Sequence, residues 1–178
     1  MKNLANRLII IIAPFIFSCQ NTKTTLENSS SLIALNSEGL CPEDGVCNTT
    51  VLKNQGLKIK LDEFNHLYYK TEASANTSVI RFEYKRKAPE GLQDGIYREE
   101  IVFEINNSDT KLELEDVLLK STKMIYGRLC YCRGQTGYFL VNKGKLTLEK
   151  NQKEIKFNLD FTVSEVPQII KKIVYPSK

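Results

Sequence analysis

The chain has 178 residues, a formal net charge of +4, five cysteines, one histidine and no tryptophan. Its first 18 residues hold two of the 25 basic residues, Lys2 and Arg7, and none of the 21 acids, so the rest carries a charge near +2. Nucleic-acid recognition needs a strong, clustered positive field, so nucleic acid is excluded as a partner, and the length fits one domain plus a tether.

A basic stub, Met1–Arg7, precedes an apolar run from Leu8 to Phe17. That run is too short to cross a bilayer, which takes roughly 20 apolar residues. Its layout is that of a secretory leader, and such a segment is set aside from fold reasoning. The junction Ile16-Phe17-Ser18-Cys19 resembles the lipobox of bacterial lipoproteins, with an aliphatic residue at −3 and a small one at −1. The resemblance implies that residues 1–18 are removed and that Cys19 is acylated, palmitate being among the chains. The competing reading is an ordinary leader cut elsewhere, which leaves Cys19 an odd thiol. Without Cys19 the cysteines form an even set, Cys41, Cys47, Cys130 and Cys132, which favours the lipid. At ~0.8 kcal/mol per buried CH₂, the two or three acyl chains of such lipoproteins make a lasting anchor. No acid follows Cys19 in Gln20-Asn21-Thr22-Lys23. By resemblance to known sorting rules, this implies an outer-membrane location facing the periplasm.

Residues 19–39 are rich in Asn, Thr and Ser without periodicity, the composition of a flexible tether. Within it Leu32, Ile33 and Leu35 are the alternative, a first edge strand. Residues 40–178 form the expected domain. Strand-like runs recur at Gly56–Leu61, His66–Thr71, Ser78–Arg86, Ile96–Asn106, Met124–Cys132, Tyr138–Val141, Lys145–Lys150 and Glu154–Val163, with Gly, Pro, Asn and Asp between most of them. Such residues supply turn dihedrals. Ile80, Phe82 and Tyr84 alternate with Arg81, Glu83 and Lys85, and Phe157, Leu159 and Phe161 with Lys156, Asn158 and Asp160. A period of two with one apolar side marks antiparallel sheets. The expected fold is all-β: an antiparallel β-sandwich or flattened barrel of about eight strands. Leu112–Thr122 is the one expected helix, with Leu114, Val117, Leu118 and Ser121 on its stripe.

Four cysteines allow three pairings, and an oxidising compartment favours two bridges. In an extended strand Cys130 and Cys132 point to one face, too far apart for an easy mutual bridge. The expectation is therefore cross-linking, with the turn Cys41-Pro42-Glu43-Asp44-Gly45-Val46-Cys47 laid across that face. Local pairing, Cys41–Cys47 with Cys130–Cys132, is the alternative. A reducible Cys130/Cys132 pair would also suit a redox-responsive factor.

No catalytic residue, metal or cofactor is expected. The single histidine, His66, follows the turn Asp62-Glu63-Phe64-Asn65, and neither G-x-S-x-G nor H-E-x-x-H occurs. Glu99 and Glu100 are adjacent, so on a strand they point to opposite faces and suit shared acid–base work poorly. Two segments suggest recognition: the long turn Glu90–Arg98, and Gly127–Tyr138, where Arg128, Tyr131, Arg133 and Tyr138, with Tyr126 just ahead of them, surround the close cysteines. These five are the candidate binding residues. The CPEDGVC turn followed by GRLCYCRGQTGYFLV resembles small β-rich lipoproteins of Flavobacterium-type bacteria, over about residues 39–150. That resemblance implies no activity. The reading is a membrane-anchored envelope lipoprotein that binds a protein or glycan without catalysis, a class to which a non-enzymatic inhibitor of an attacking hydrolase would belong, as several lysozyme inhibitors are small disulfide-bonded β lipoproteins.

Overall fold

The computed structural model describes residues 35–36, 41–88, 91 and 95–176. The leader, Cys19 and nearly all of the tether lie outside the described residues, as do Pro89, Glu90 and Leu92–Asp94 of the long turn.

The elements run β1 (Leu35–Asn36), β2 (Gly45–Leu61), β3 (Leu67–Arg86), β4 (Tyr97–Asn106), β5 (Lys111–Glu115), a 3₁₀ helix (Asp116–Thr122), β6 (Ile125–Cys130), β7 (Gly137–Leu140), β8 (Gly144–Lys150), β9 (Ile155–Phe161) and β10 (Lys172–Tyr175). The fold is all-β. One antiparallel sheet has the order β1-β2-β3-β4-β6-β7, and a second has the order β10-β9-β8-β5. The main core lies between them. Ile80, Phe82, Ile101, Phe103 and Tyr126 from the first sheet meet Leu146, Leu148, Phe157, Leu159 and Ile173 from the second. β9 is the plainest case, with Phe157, Leu159 and Phe161 buried and Lys156, Asn158 and Asp160 exposed.

The hairpin of β2 and β3 does something that periodicity does not announce. The runs expected at His66–Thr71 and Ser78–Arg86 join, from Leu67 on, into one 20-residue strand, which is bent. The register steps from Lys53↔Ser78 to Gln55↔Ala73, so Ser74–Thr77 bulge opposite the single residue Asn54. Asn54 sits at φ 57°, a left-handed conformation that asparagine tolerates better than most residues. Thr77 Oγ1 holds the bulge by donating to the carbonyl of Gln55 at 2.9 Å. Beyond the bend the hairpin folds across the outer face of its own sheet, and Leu67 reaches β7 opposite Tyr138. A second, smaller core results. Leu57, Val79, Val102 and Ile125 are fully buried there, with Ile59, Tyr69 and Tyr138 against them. Burial on both faces explains why β4 carries Val102 between Ile101 and Phe103.

The expected helix over Leu112–Thr122 is corrected. Lys111–Glu115 alternates with period two and fills the free edge of β8, from Lys111↔Glu149 to Glu115↔Lys145. Only Asp116–Thr122 is helical, and it is a 3₁₀ turn. Its three-residue period buries Leu119 and Thr122 and leaves Val117 and Leu118 more than half exposed, so the expected stripe does not form. Lys123, at φ 52°, ends the turn by donating its N–H to the carbonyl of Lys120. β10 lay outside the expected strands. It covers β9 from Lys172↔Asp160 to Tyr175↔Phe157.

Leu57 is the residue on which the folded-over half of the hairpin turns. Leu57→Ala should lower stability by about 2–5 kcal/mol, the usual cost of a large-to-small change in a closed core. Urea unfolding, with hydrogen exchange on β2 and β3, checks this. A loss under ~1 kcal/mol would mean that the second core carries no weight.

Candidate functional site

The two disulfides are local, Cys41–Cys47 and Cys130–Cys132, with Cα separations of 5.7 and 5.2 Å. The cross-linked expectation is overturned, for two reasons. β3 and β4 stand between β2 and β6, so at about 4.8 Å per strand Cys47 lies roughly 14 Å from β6, beyond the reach of a disulfide. The extended geometry assumed for Cys132 is also absent. β6 ends at Cys130, and the chain turns through Tyr131.

Both bridges nonetheless frame one end of the first sheet, because Gly45 pairs with Arg86 and Tyr97 with Cys130. The first loop is pinned through Asp44. Its Oδ1 accepts from the Tyr84 hydroxyl at 2.6 Å and its Oδ2 from Arg86 Nε at 2.9 Å. The Tyr84 bond, helped by the Arg86 charge, holds the carboxyl below the usual range. Gly45 follows because the loop runs against the Tyr84 ring. A Cβ at that position would lie 2.1 Å from Tyr84 Cε2.

Beneath this end lies a polar knot. The Arg86 and Arg128 guanidiniums stand 4.7 and 5.4 Å from the centre of the Tyr97 ring, within cation–π range. Tyr97 donates its hydroxyl to Glu99, which is 1% exposed. Glu99 also accepts the backbone N–H groups of Ile169 and Ile170, each at 2.8 Å. Arg128 donates to the carbonyl of Gln135 at 2.8 Å and so holds the following hairpin loop. Burial, with Glu99 nearby, pushes the Tyr126 hydroxyl far above its ordinary range. Its hydroxyl has no hydrogen-bond partner among the described residues.

The five candidate binding residues do not form one patch. Tyr126 is a core residue whose ring centre lies 5.9 Å from that of Phe161. Arg128 is buried in the knot. Tyr138 lies on the opposite face of the sheet, donating to Glu100 and edge-on to Tyr69 at 5.4 Å. Only Tyr131, at 89%, and Arg133 are exposed. The cause is that both faces of β6 are covered, so neither side of its alternation is a surface.

What the sequence reading missed is a groove beside Tyr131. The strand register sets Val46, Lys85, Arg98 and Leu129 in one row across β2, β3, β4 and β6. Lys85, Arg98 and Leu129 of this row, with Glu83, Ile96 and Tyr131, border a shallow groove of about 450 Å³ that Cys130 also reaches. Val46 and Ile96 are 58% and 60% exposed. Arg98 pairs with Glu83 at 3.3 Å. The only signal for this row in the sequence is alternation, and alternation does not say which strands are neighbours.

Glu99 and Glu100 do point to opposite faces, one into the knot and the other toward Tyr138. His66 is an exposed turn residue, its Nδ1 3.3 Å from Asp62 Oδ2. No cluster of three or more His, Cys, Asp or Glu suited to a metal occurs among the described residues. Comparison with protein-family models, curated proteins and solved structures finds no match.

Two outcomes test this geometry. Glu99→Ala strips the N–H groups of Ile169 and Ile170, the second of them buried, and the Tyr97 hydroxyl of their acceptor, and should destabilise by about 3 kcal/mol in urea unfolding. A change within ~0.5 kcal/mol would remove the knot from the account. The lowered Asp44 carboxyl stabilises the fold above the unfolded carboxylate range and loses that contribution as pH falls through its folded value. The stability gap between wild type and Asp44→Asn should therefore close on acidification, read from urea midpoints across that range.

Proposed function

We propose that the chain is a bacterial envelope lipoprotein, anchored in the outer membrane through acylated Cys19 and facing the periplasm. Its β domain binds another envelope component, protein or glycan, without catalysing a reaction. Blocking of an attacking hydrolase is one form that such binding takes. The leader and lipobox support the anchoring, and two disulfides suit a compartment outside the cytoplasm.

The observation that carries the binding reading is the exposure of Tyr131. It stands 89% exposed beside a groove lined by the apolar Ile96 and Leu129, by Lys85 and by the Arg98–Glu83 pair. The Cys130–Cys132 bridge fixes the root of its loop, and the Arg128–Gln135 bond holds the far side. A preorganised aromatic loses little freedom on binding, and tyrosine and arginine are the side chains that most often carry interface energy. The partner that suits the groove offers acidic groups beside an apolar or sugar surface.

A second reading is a redox-responsive factor. It is favoured by the half-buried Cys130 and Cys132, bridged with one residue between them, of which Cys130 opens onto the same groove.

Mass spectrometry of detergent-extracted chain should find acylated Cys19 as the mature terminus. In-cell cross-linking should recover a partner whose yield drops at least tenfold with Tyr131→Ala plus Ile96→Ser, at an unchanged urea midpoint. Equal recovery from wild type and variant would overturn the groove. Thiol trapping separates the two readings: cysteines that stay oxidised under envelope stress favour binding, and a Cys130/Cys132 pair that cycles favours redox.

A further inference from the structure

A second concavity lies midway along β2, beside the bend at Asn54 and about eight residues beyond Gly45, roughly 25 Å away at about 3.3 Å per residue. It opens where the two sheets fail to meet. Among the described residues β1 covers β2 only at Asn48 and Thr49, β10 is the edge of the second sheet, and no described strand crosses the seam between Val51 and Tyr175. The cavity there measures about 330 Å³, within the ~300–1,000 Å³ of small-molecule pockets.

Its base is apolar. Val51 and Tyr175 belong to the main core, Ile155 packs against that core, and Pro176 completes the lining. Its walls are held before any ligand arrives. On one side the Asn107 side chain donates to the carbonyl of Ala75 at 3.0 Å and accepts from Ser78 Oγ at 2.7 Å. On the other, Asn151 Oδ1 accepts the N–H groups of Lys153 and Glu154, each at 2.9 Å.

The charge around it is one-sided. Three lysines line the cavity, Lys53, Lys150 and Lys153, against one acid, Glu154. Glu154 is already engaged by Lys156 at 3.1 Å. Lys53 and Lys153 make no ion pair among the described residues. Lys150 Nζ donates to the carbonyls of Asn106 and Asn107 at 2.9 and 2.8 Å, neither of which carries a compensating charge. Burial lowers its pKa below the ordinary ammonium value.

We propose that this seam pocket binds a small amphiphilic anion, its apolar body against Val51, Ile155 and Tyr175 and its carboxylate or phosphate head among Lys53, Lys150 and Lys153. An apolar base alone would take a neutral molecule as readily, and lysines on an open surface would take any anion weakly. The two together select for a head and a body in one ligand. This site is separate from the Tyr131 groove, and its existence does not depend on what binds there.

The test uses the full chain carrying Cys19→Ser, so that acylation does not complicate solubility. Octanoate, phenyl phosphate and neutral octanamide are titrated separately while backbone amide shifts are followed. Saturable shifts at Lys53, Asn54, Asn107 and Ile155 with octanoate or phenyl phosphate, at least tenfold tighter than with octanamide, are expected. The tighter of the two anions assigns the head as carboxylate or phosphate. Lys53→Glu plus Lys153→Glu, both on exposed side chains, should weaken binding at least tenfold with the rest of the spectrum preserved. Equal affinity for octanamide, shifts that map elsewhere, or binding that survives the double variant would overturn the proposal.

Discussion

The bend in the β2–β3 hairpin is the constraint on which the rest of the structure depends. Where Ser74–Thr77 bulge against Asn54, the distal half of the hairpin leaves the plane of its sheet and covers the sheet's outer face. Without it, Leu57, Val79, Val102 and Ile125 would be exposed on a single-sided sheet. With it they form a core, and β4 and β6 become interior strands on both faces. The buried apolar surface stabilises the bend, and the bend is what buries that surface.

Interior strands that carry carboxylates must satisfy them, because a buried unpartnered charge is strongly destabilising. β4 carries three, and the fold treats each differently. Glu99 receives two backbone N–H groups from the segment leading into β10, together with the Tyr97 hydroxyl. Glu100 receives the Tyr138 hydroxyl from β7, across β6. Glu104 receives the N–H of Leu57 and the ammonium of Lys123, which also donates to the Leu57 carbonyl. Each acid therefore ties β4 to a segment distant in sequence. Glu104 clasps the folded-over hairpin at the residue that seals the second core. Glu99 anchors the chain just before the edge strand of the other sheet.

The sequence was legible where a strand has one wet face. β9 reads directly because Lys156, Asn158 and Asp160 meet water while their neighbours do not. β4 reads as a strand, but its second buried face does not, since Glu100 and Glu104 look like surface residues until their partners are known. Leu112–Glu115 reads as the start of a helix because LELE followed by DVLLK fits both periods. The open edge of β8 decided between them. The disulfides misled for a different reason. Alternation predicts where side chains point along a strand, but pairing depends on strand order, and two strands intervene between β2 and β6. Tyr126 and Tyr138 misled through tyrosine's double nature, an apolar ring with a polar tip that suits a core as well as a surface.

The same strand order explains why the exposed features gather where they do. Each local disulfide closes a short loop, so on chain-entropy grounds each stabilises by only about 2 kcal/mol. Their larger effect is positional. Cys41–Cys47 sets Asp44 against Tyr84 and Arg86, while Cys130–Cys132 turns the chain so that Tyr131 projects at the end of β6. Between them, Arg86 and Arg128 flank Tyr97, and Tyr97 hands its hydroxyl to Glu99. Charge and hydrogen bonds tie the interior of this end together, which holds its outer rim in place. A rigid rim that presents Tyr131, Ile96 and Val46 to solvent keeps apolar surface exposed at a fixed geometry, without the freedom to fold back and bury it. It is on this fixed geometry that the binding proposed above rests.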